Sequence, residues 1–127
     1  MKESTKAVID NLIERYPDLI NTLDDINNTL DILINCYKNG GKLLVCGNGG
    51  SAADAEHITG ELMKSFKLKR RLPEHLKEVL GDYIYNHLEG ALPCISLVSQ
   101  TALTTAYAND QAPDLSFAQQ VYGYGRE

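Results

Sequence analysis

Apolar positions along the chain fall first into helical spacing. Between residues 4 and 16, Ala7, Val8, Leu12 and Ile13, with Ile9 and Tyr16, predict a helix that Pro17 stops. In "DLINTLDDINNTLDILINCYKNGG", Leu19, Leu23, Ile26, Leu30, Leu33 and Tyr37 alternate steps of four and three, a narrow seam that ends at Asn39-Gly40-Gly41. Such a stripe suits core packing and helix pairing between subunits alike, so a homo-oligomer, dimer or tetramer, is expected. The pattern then changes. "KLLVCG" (Lys42 to Gly47) is a continuous apolar run of the kind buried in parallel sheets. Ser51 to about Phe66 is helix-compatible, and Leu72, Leu76, Val79, Leu80, Tyr83, Ile84 and Leu88 mark an amphipathic helix interrupted near Gly81. "LPCISLVS" predicts a second buried strand, and "TALTTAYAND" and "DLSFAQQVYGYGRE" predict two further helices. The order α-α-β-α-α-β-α-α is an α/β plan, but two strands make a meagre sheet, so the chain is expected to be the front part of a larger domain.

The chemistry gathers in "LLVCGNGGSAADAEHITGEL", Leu43 to Leu62. A strand, a glycine turn and a helix starting at Ser51 together aim backbone N–H groups and a positive helix end at one point, an arrangement suited to an anion. Ser51 can cap the helix or donate to a phosphate oxygen. A tight βα turn with an ordinary serine cap reads equally well from spacing alone. The Walker pattern fails because Gly50 stands where a lysine is required. Gly47, Gly49 and Ala52 formally meet the dinucleotide pattern, yet where an acidic residue should close the next strand the chain has basic "KLKRR". His57 and Glu61, four apart, share a helix face with Asp54 near it; they suit a divalent metal, an acid/base pair, or no more than a mutual hydrogen bond.

Composition narrows the partners. At 127 residues with a formal charge of −5, the chain suits one domain and has no general pull toward nucleic acid or acidic membranes. The basic run "KSFKLKRR" (Lys64 to Arg71) is a local exception, expected to be a solvated face or an oligomer contact rather than a polyanion site. Cys36, Cys46 and Cys94 are scattered and odd in number, which argues against a disulfide scaffold and for the cytoplasm. No apolar run approaches the roughly 18–20 residues of a membrane span, and the N-terminus lacks a signal-peptide core.

Taken together, "CGNGGSAADAEHITGEL", "LPCISL" and "AYAND" resemble the sugar isomerase (SIS) domain family, and within it the phosphoheptose isomerases, which convert sedoheptulose 7-phosphate to glycero-manno-heptose 7-phosphate. The resemblance implies an N-terminal helical oligomerisation segment over 1–40 and, over 41–127, the N-terminal part of a doubly wound, flavodoxin-like SIS domain with a helical insert at about 67–90. It implies that Asn48, Gly49, Gly50 and Ser51 contact a phosphorylated sugar, that Asn109 and Asp110 line its pocket, and that His57 and Glu61 bind zinc. Glu61 is also the family's catalytic base, and the two roles compete for one carboxylate. The family's second phosphate-binding serine motif, resembling "STSGNS", and its late helix with a glutamine and a histidine have no counterpart here; His75 and His87 match nothing. The expected function is therefore aldose–ketose isomerisation through a cis-enediol, with an incomplete active site. The alternatives are a non-catalytic SIS module binding a phosphosugar or a protein partner, as in relatives acting in replication initiation, and an assembly fragment working through its heptad helix.

Overall fold

A computed structural model of the chain describes residues 2–125. They fall into two compact units, Met1–Asn39 and Gly40–Glu127.

The first unit is a helical pair. Helix α1 (Glu3–Arg15) ends before Pro17, and a 3₁₀ turn (Pro17–Thr22) leads into α2 (Leu23–Lys38). The seam helix therefore starts four residues later than Leu19 suggests. Pro17 sets the first position of the turn, and the Thr22 hydroxyl donates to the Leu19 carbonyl, holding that segment in the tighter winding. Both helices pack on the turn. Ile9 is buried, but α2 buries no residue: Leu23, Ile26, Leu30, Leu33 and Tyr37 are all half-exposed.

The second unit is α/β. Strands β1 (Leu43–Val45) and β2 (Cys94–Ser96) pair in parallel, with Leu43 opposite Cys94, Leu44 opposite Ile95 and Val45 opposite Ser96. Helix α3 (Gly50–Met63) follows β1 and packs on both strands. Its inner positions Ala52, Ala55, Thr59 and Leu62 recur at three and four residues. Small residues among them let the helix approach closely: Ala55 is 1% exposed, and Thr59 Oγ1 lies 3.4 Å from Cys94 Sγ. Helix α4 (Lys77–His87) lies between α3 and β2, within the segment of about 67–90 expected to be the insert, and α5 (Thr101–Asp110) and α6 (Ser116–Tyr124) pack on each other.

Two expectations change in detail. The second apolar run is a strand only as far as Ser96; Leu97–Ser99 turns as 3₁₀, with Leu97 1% exposed against α3. The β1 residues, expected to be fully buried, are half-buried, because α3 is the main helix laid on this two-stranded sheet. The interruption near Gly81 is real: its φ of 73° and ψ of 160° break α4, so that Tyr85 rather than Tyr83 or Ile84 turns inward beyond the kink. No disulfide joins Cys36, Cys46 and Cys94, and no helix among the described residues is long and apolar enough to cross a membrane.

Candidate functional site

The turn between β1 and α3 requires glycine twice. A Cβ on Gly47 would lie 2.5 Å from the Ser51 carbonyl oxygen, so the strand end and the first helical turn meet only because that atom is absent. Gly49 is the N-cap of α3 with φ 59° and ψ −124°, a conformation side chains disfavour. The helix begins at Gly50, so Ser51 lies inside the first turn and does not cap it. Its N–H donates to Asn48 O (3.2 Å), and the Ala52 N–H donates to Gly49 O (3.1 Å). Among the described residues, the N–H groups of Asn48, Gly49 and Gly50 have no backbone acceptor and the Ser51 hydroxyl has no partner. All four residues are exposed. The open donors thus belong to the turn, where the helix dipole adds its positive end.

One turn and more along α3, His57 Nε2 lies 3.5 Å from Glu61 Oε1, their side chains 77% and 36% exposed. At 100° per residue these two and Asp54 project away from the face formed by Ala55 and Thr59. The pair is an ion pair only when the imidazole is protonated. Asn109 and Asp110 close α5, where the Asn109 amide donates to Asp110 Oδ1 at 2.8 Å. Among the described residues, no hydrogen bond or ion pair joins them to His57 or Glu61, and no three His, Cys, Asp or Glu side chains are grouped to hold a metal ion. Two donors fall short of the roughly three protein ligands of a catalytic zinc. The residues present do not by themselves fit zinc.

Two features were illegible in the sequence. The Ser99 hydroxyl donates to Glu56 Oε1 (3.0 Å), tying the turn after β2 to α3 beside His57 across 43 positions. The second is a closed network at the root of the insert. Arg70 Nε donates to Gly90 O (2.7 Å) and Nη2 to Leu62 O (2.8 Å), while the Arg70 N–H donates to Ser65 Oγ (2.8 Å). The Gly90 N–H returns to Arg70 O (2.7 Å), and the Ser65 N–H donates to Glu89 Oε2 (2.7 Å). That backbone hydrogen bond, first, and the Ser65 side chain, then the charges of Lys69 and Arg70, hold the Glu89 carboxyl below its ordinary value.

The SIS domain family model matches residues 7–91, a span that contains the glycine turn, α3 and the insert. The chain belongs to the SIS domain family. Within this family it groups with the phosphoheptose isomerases. It is 33% identical over 130 residues to the phosphoheptose isomerase of Clostridium acetobutylicum, spanning 100% of this chain and 57% of the relative. To that of Citrifermentans bemidjiense it is 40% identical over 96 residues, 76% of this chain and 40% of the relative. Its fold matches a phosphoheptose isomerase from Francisella tularensis with a TM-score of 0.62 at 28% identity, covering 100% of this chain and 56% of that one. The corresponding enzyme of Neisseria gonorrhoeae gives 0.58 at 28% identity, over 98% and 54%. The chain thus spans about half the length of the relatives it matches.

Proposed function

We propose that this SIS chain carries the phosphosugar-binding and base-bearing half of an aldose–ketose isomerase acting on sedoheptulose 7-phosphate. The observation that carries the reading is the set of uncommitted donors at Asn48, Gly49, Gly50 and Ser51, followed on the same helix by the exposed His57–Glu61 pair. The turn would hold the phosphate and fix the sugar's position. The Glu61 carboxylate would take the proton from C1 of the ketose, as O2 gains one, and return a proton to C2 of the cis-enediol as the C1 hydroxyl loses its own. His57, 3.5 Å away, would orient that carboxylate and serve the oxygens as acid. Asn109 and Asp110 would line the sugar's path. Zinc at His57 and Glu61 would need a third ligand from beyond the described residues, and no step here uses it. We place the chain in the cytoplasm, on its cysteine usage, as a dimer or tetramer joined through its N-terminal helical segment; the half-exposed α2 seam supports the latter.

That no third His, Cys, Asp or Glu joins His57 and Glu61 among the described residues favours a second reading, a non-catalytic SIS module that binds phosphosugar or a protein partner. Turnover of sedoheptulose 7-phosphate by the purified chain, with Glu61→Gln alongside and the active species sized by sedimentation, separates the readings. We expect turnover to be lost in the variant and carried by an oligomer. Phosphosugar binding without turnover in either protein would replace the first reading by the second, and an active monomer would remove the oligomer.

A further inference from the structure

Lys64 to Arg71 places five cations in eight residues of a chain whose formal charge is −5. The structure divides this run between two tasks. Arg70 turns inward and gives its guanidinium hydrogens to the carbonyls of Leu62 and Gly90. Its neighbours Lys69 and Arg71 share a recess of about 180 Å³ with Leu72, Tyr85, Asn86 and Leu88. The Tyr85 hydroxyl donates to Leu72 O (3.4 Å), fixing one wall against the other.

The lining is cationic: among the described residues, no carboxylate borders the recess. Among the described residues, Arg71 forms no ion pair; the ion pairs there are His57 with Glu61 and Lys77 with Asp82. The carboxylate that Lys69 feels, Glu89, already accepts the Ser65 N–H. The bonds of Arg70 hold the backbone between the two cations, from which both exposed side chains reach the recess. The recess shares no residue with the glycine turn.

We propose that this recess is a second anion site, and that it takes the phosphomonoester of a small phosphorylated molecule. Arg71 supplies a planar fork of donors that matches phosphate oxygens, Lys69 a point charge, and Asn86 a neutral amide donor. Leu72, Leu88 and the Tyr85 ring offer apolar contact to the body that carries the phosphate. A sugar phosphate and a nucleoside monophosphate present the same group, and the body decides between them.

The test is a titration of the ¹⁵N-labelled protein with inorganic phosphate, ribose 5-phosphate and adenosine 5′-monophosphate at constant ionic strength, with chloride as control. Saturable shifts are expected at the amides of 69–72 and 85–88 and at the Asn86 side chain. Arg71→Gln should weaken binding there about tenfold, the scale of one charge-assisted contact. Ser51→Ala should leave those shifts unchanged, which separates this site from the glycine turn and from the function proposed for it. Tighter binding of ribose 5-phosphate than of the nucleotide names a sugar phosphate, and the reverse names a nucleotide. Shifts that chloride reproduces, that survive Arg71→Gln or that vanish in Ser51→Ala would overturn the proposal. So would organic phosphates binding no better than inorganic phosphate.

Discussion

The turn at Gly47–Ser51 and the root of the insert at Ser65–Gly90 are both places where the chain reverses beside an end of α3, and they treat their polar groups in opposite ways. At the root, the guanidinium of Arg70, the carboxylate of Glu89 and the N–H groups of Ser65, Arg70 and Gly90 all have partners within the chain. At the turn, glycines hold the backbone in a shape that leaves Asn48, Gly49, Gly50 and Ser51 with donors facing outward. Polar groups away from water must be bonded, so the saturated network at the root does structural work, whereas the exposed donors of the turn are left to solvent and are free to meet another group. The same helix is closed at one end and open at the other.

Breaking the turn should have the largest effect. Gly47→Ala forces a Cβ to within 2.5 Å of the Ser51 carbonyl, and we expect a loss of about 3 kcal/mol in urea unfolding, at the upper end of overpacking effects. A loss below ~1 kcal/mol would mean that the turn relaxes freely and that its shape is not imposed by glycine. Opening the root should cost less. Arg70→Ala removes two charge-assisted bonds from a half-buried position, for a loss of about 2 kcal/mol, with faster amide exchange through α4 than in the sheet. Uniform exchange across the unit would show that the network does not close the insert separately.

The smallest effect is a pH dependence at the root. The carboxyl of Glu89 is held below its ordinary value in the folded chain, first by the Ser65 N–H it accepts. Its contribution is therefore fully present above its unfolded value and is lost as the pH falls through the folded one. Acid titration of stability should show this share in the parent chain and lose it in Glu89→Gln. An unchanged acid slope in the variant would indicate that the Ser65 bond does not stabilise the charged form.

Much of this was readable from spacing. The order of six helices and two strands follows from apolar periodicity, the break at Gly81 from its residue type, and the glycine turn from a strand running directly into a helix. Local rules failed where partners lie far apart. Arg70 sits in a run that looks solvated throughout, and only its approach to Leu62 and Gly90 makes it structural. Glu56 gave no signal because its partner, Ser99, lies beyond the insert. Ser51 resembles a cap, yet the close contact of Gly47 with the first turn moves the helix start back to Gly50.

The sequence by itself determined the order of helices and strands among the described residues and placed His57 and Glu61 on one helix face, since both depend on periods set by backbone geometry. It also carried enough identity over residues 7–91 to show the SIS domain family. Which polar groups are spent and which stay open was decided only by the tertiary structure. A hydrogen bond between residues 20 or 43 positions apart depends on where the sheet and the insert bring the chain back, and no local pattern records that.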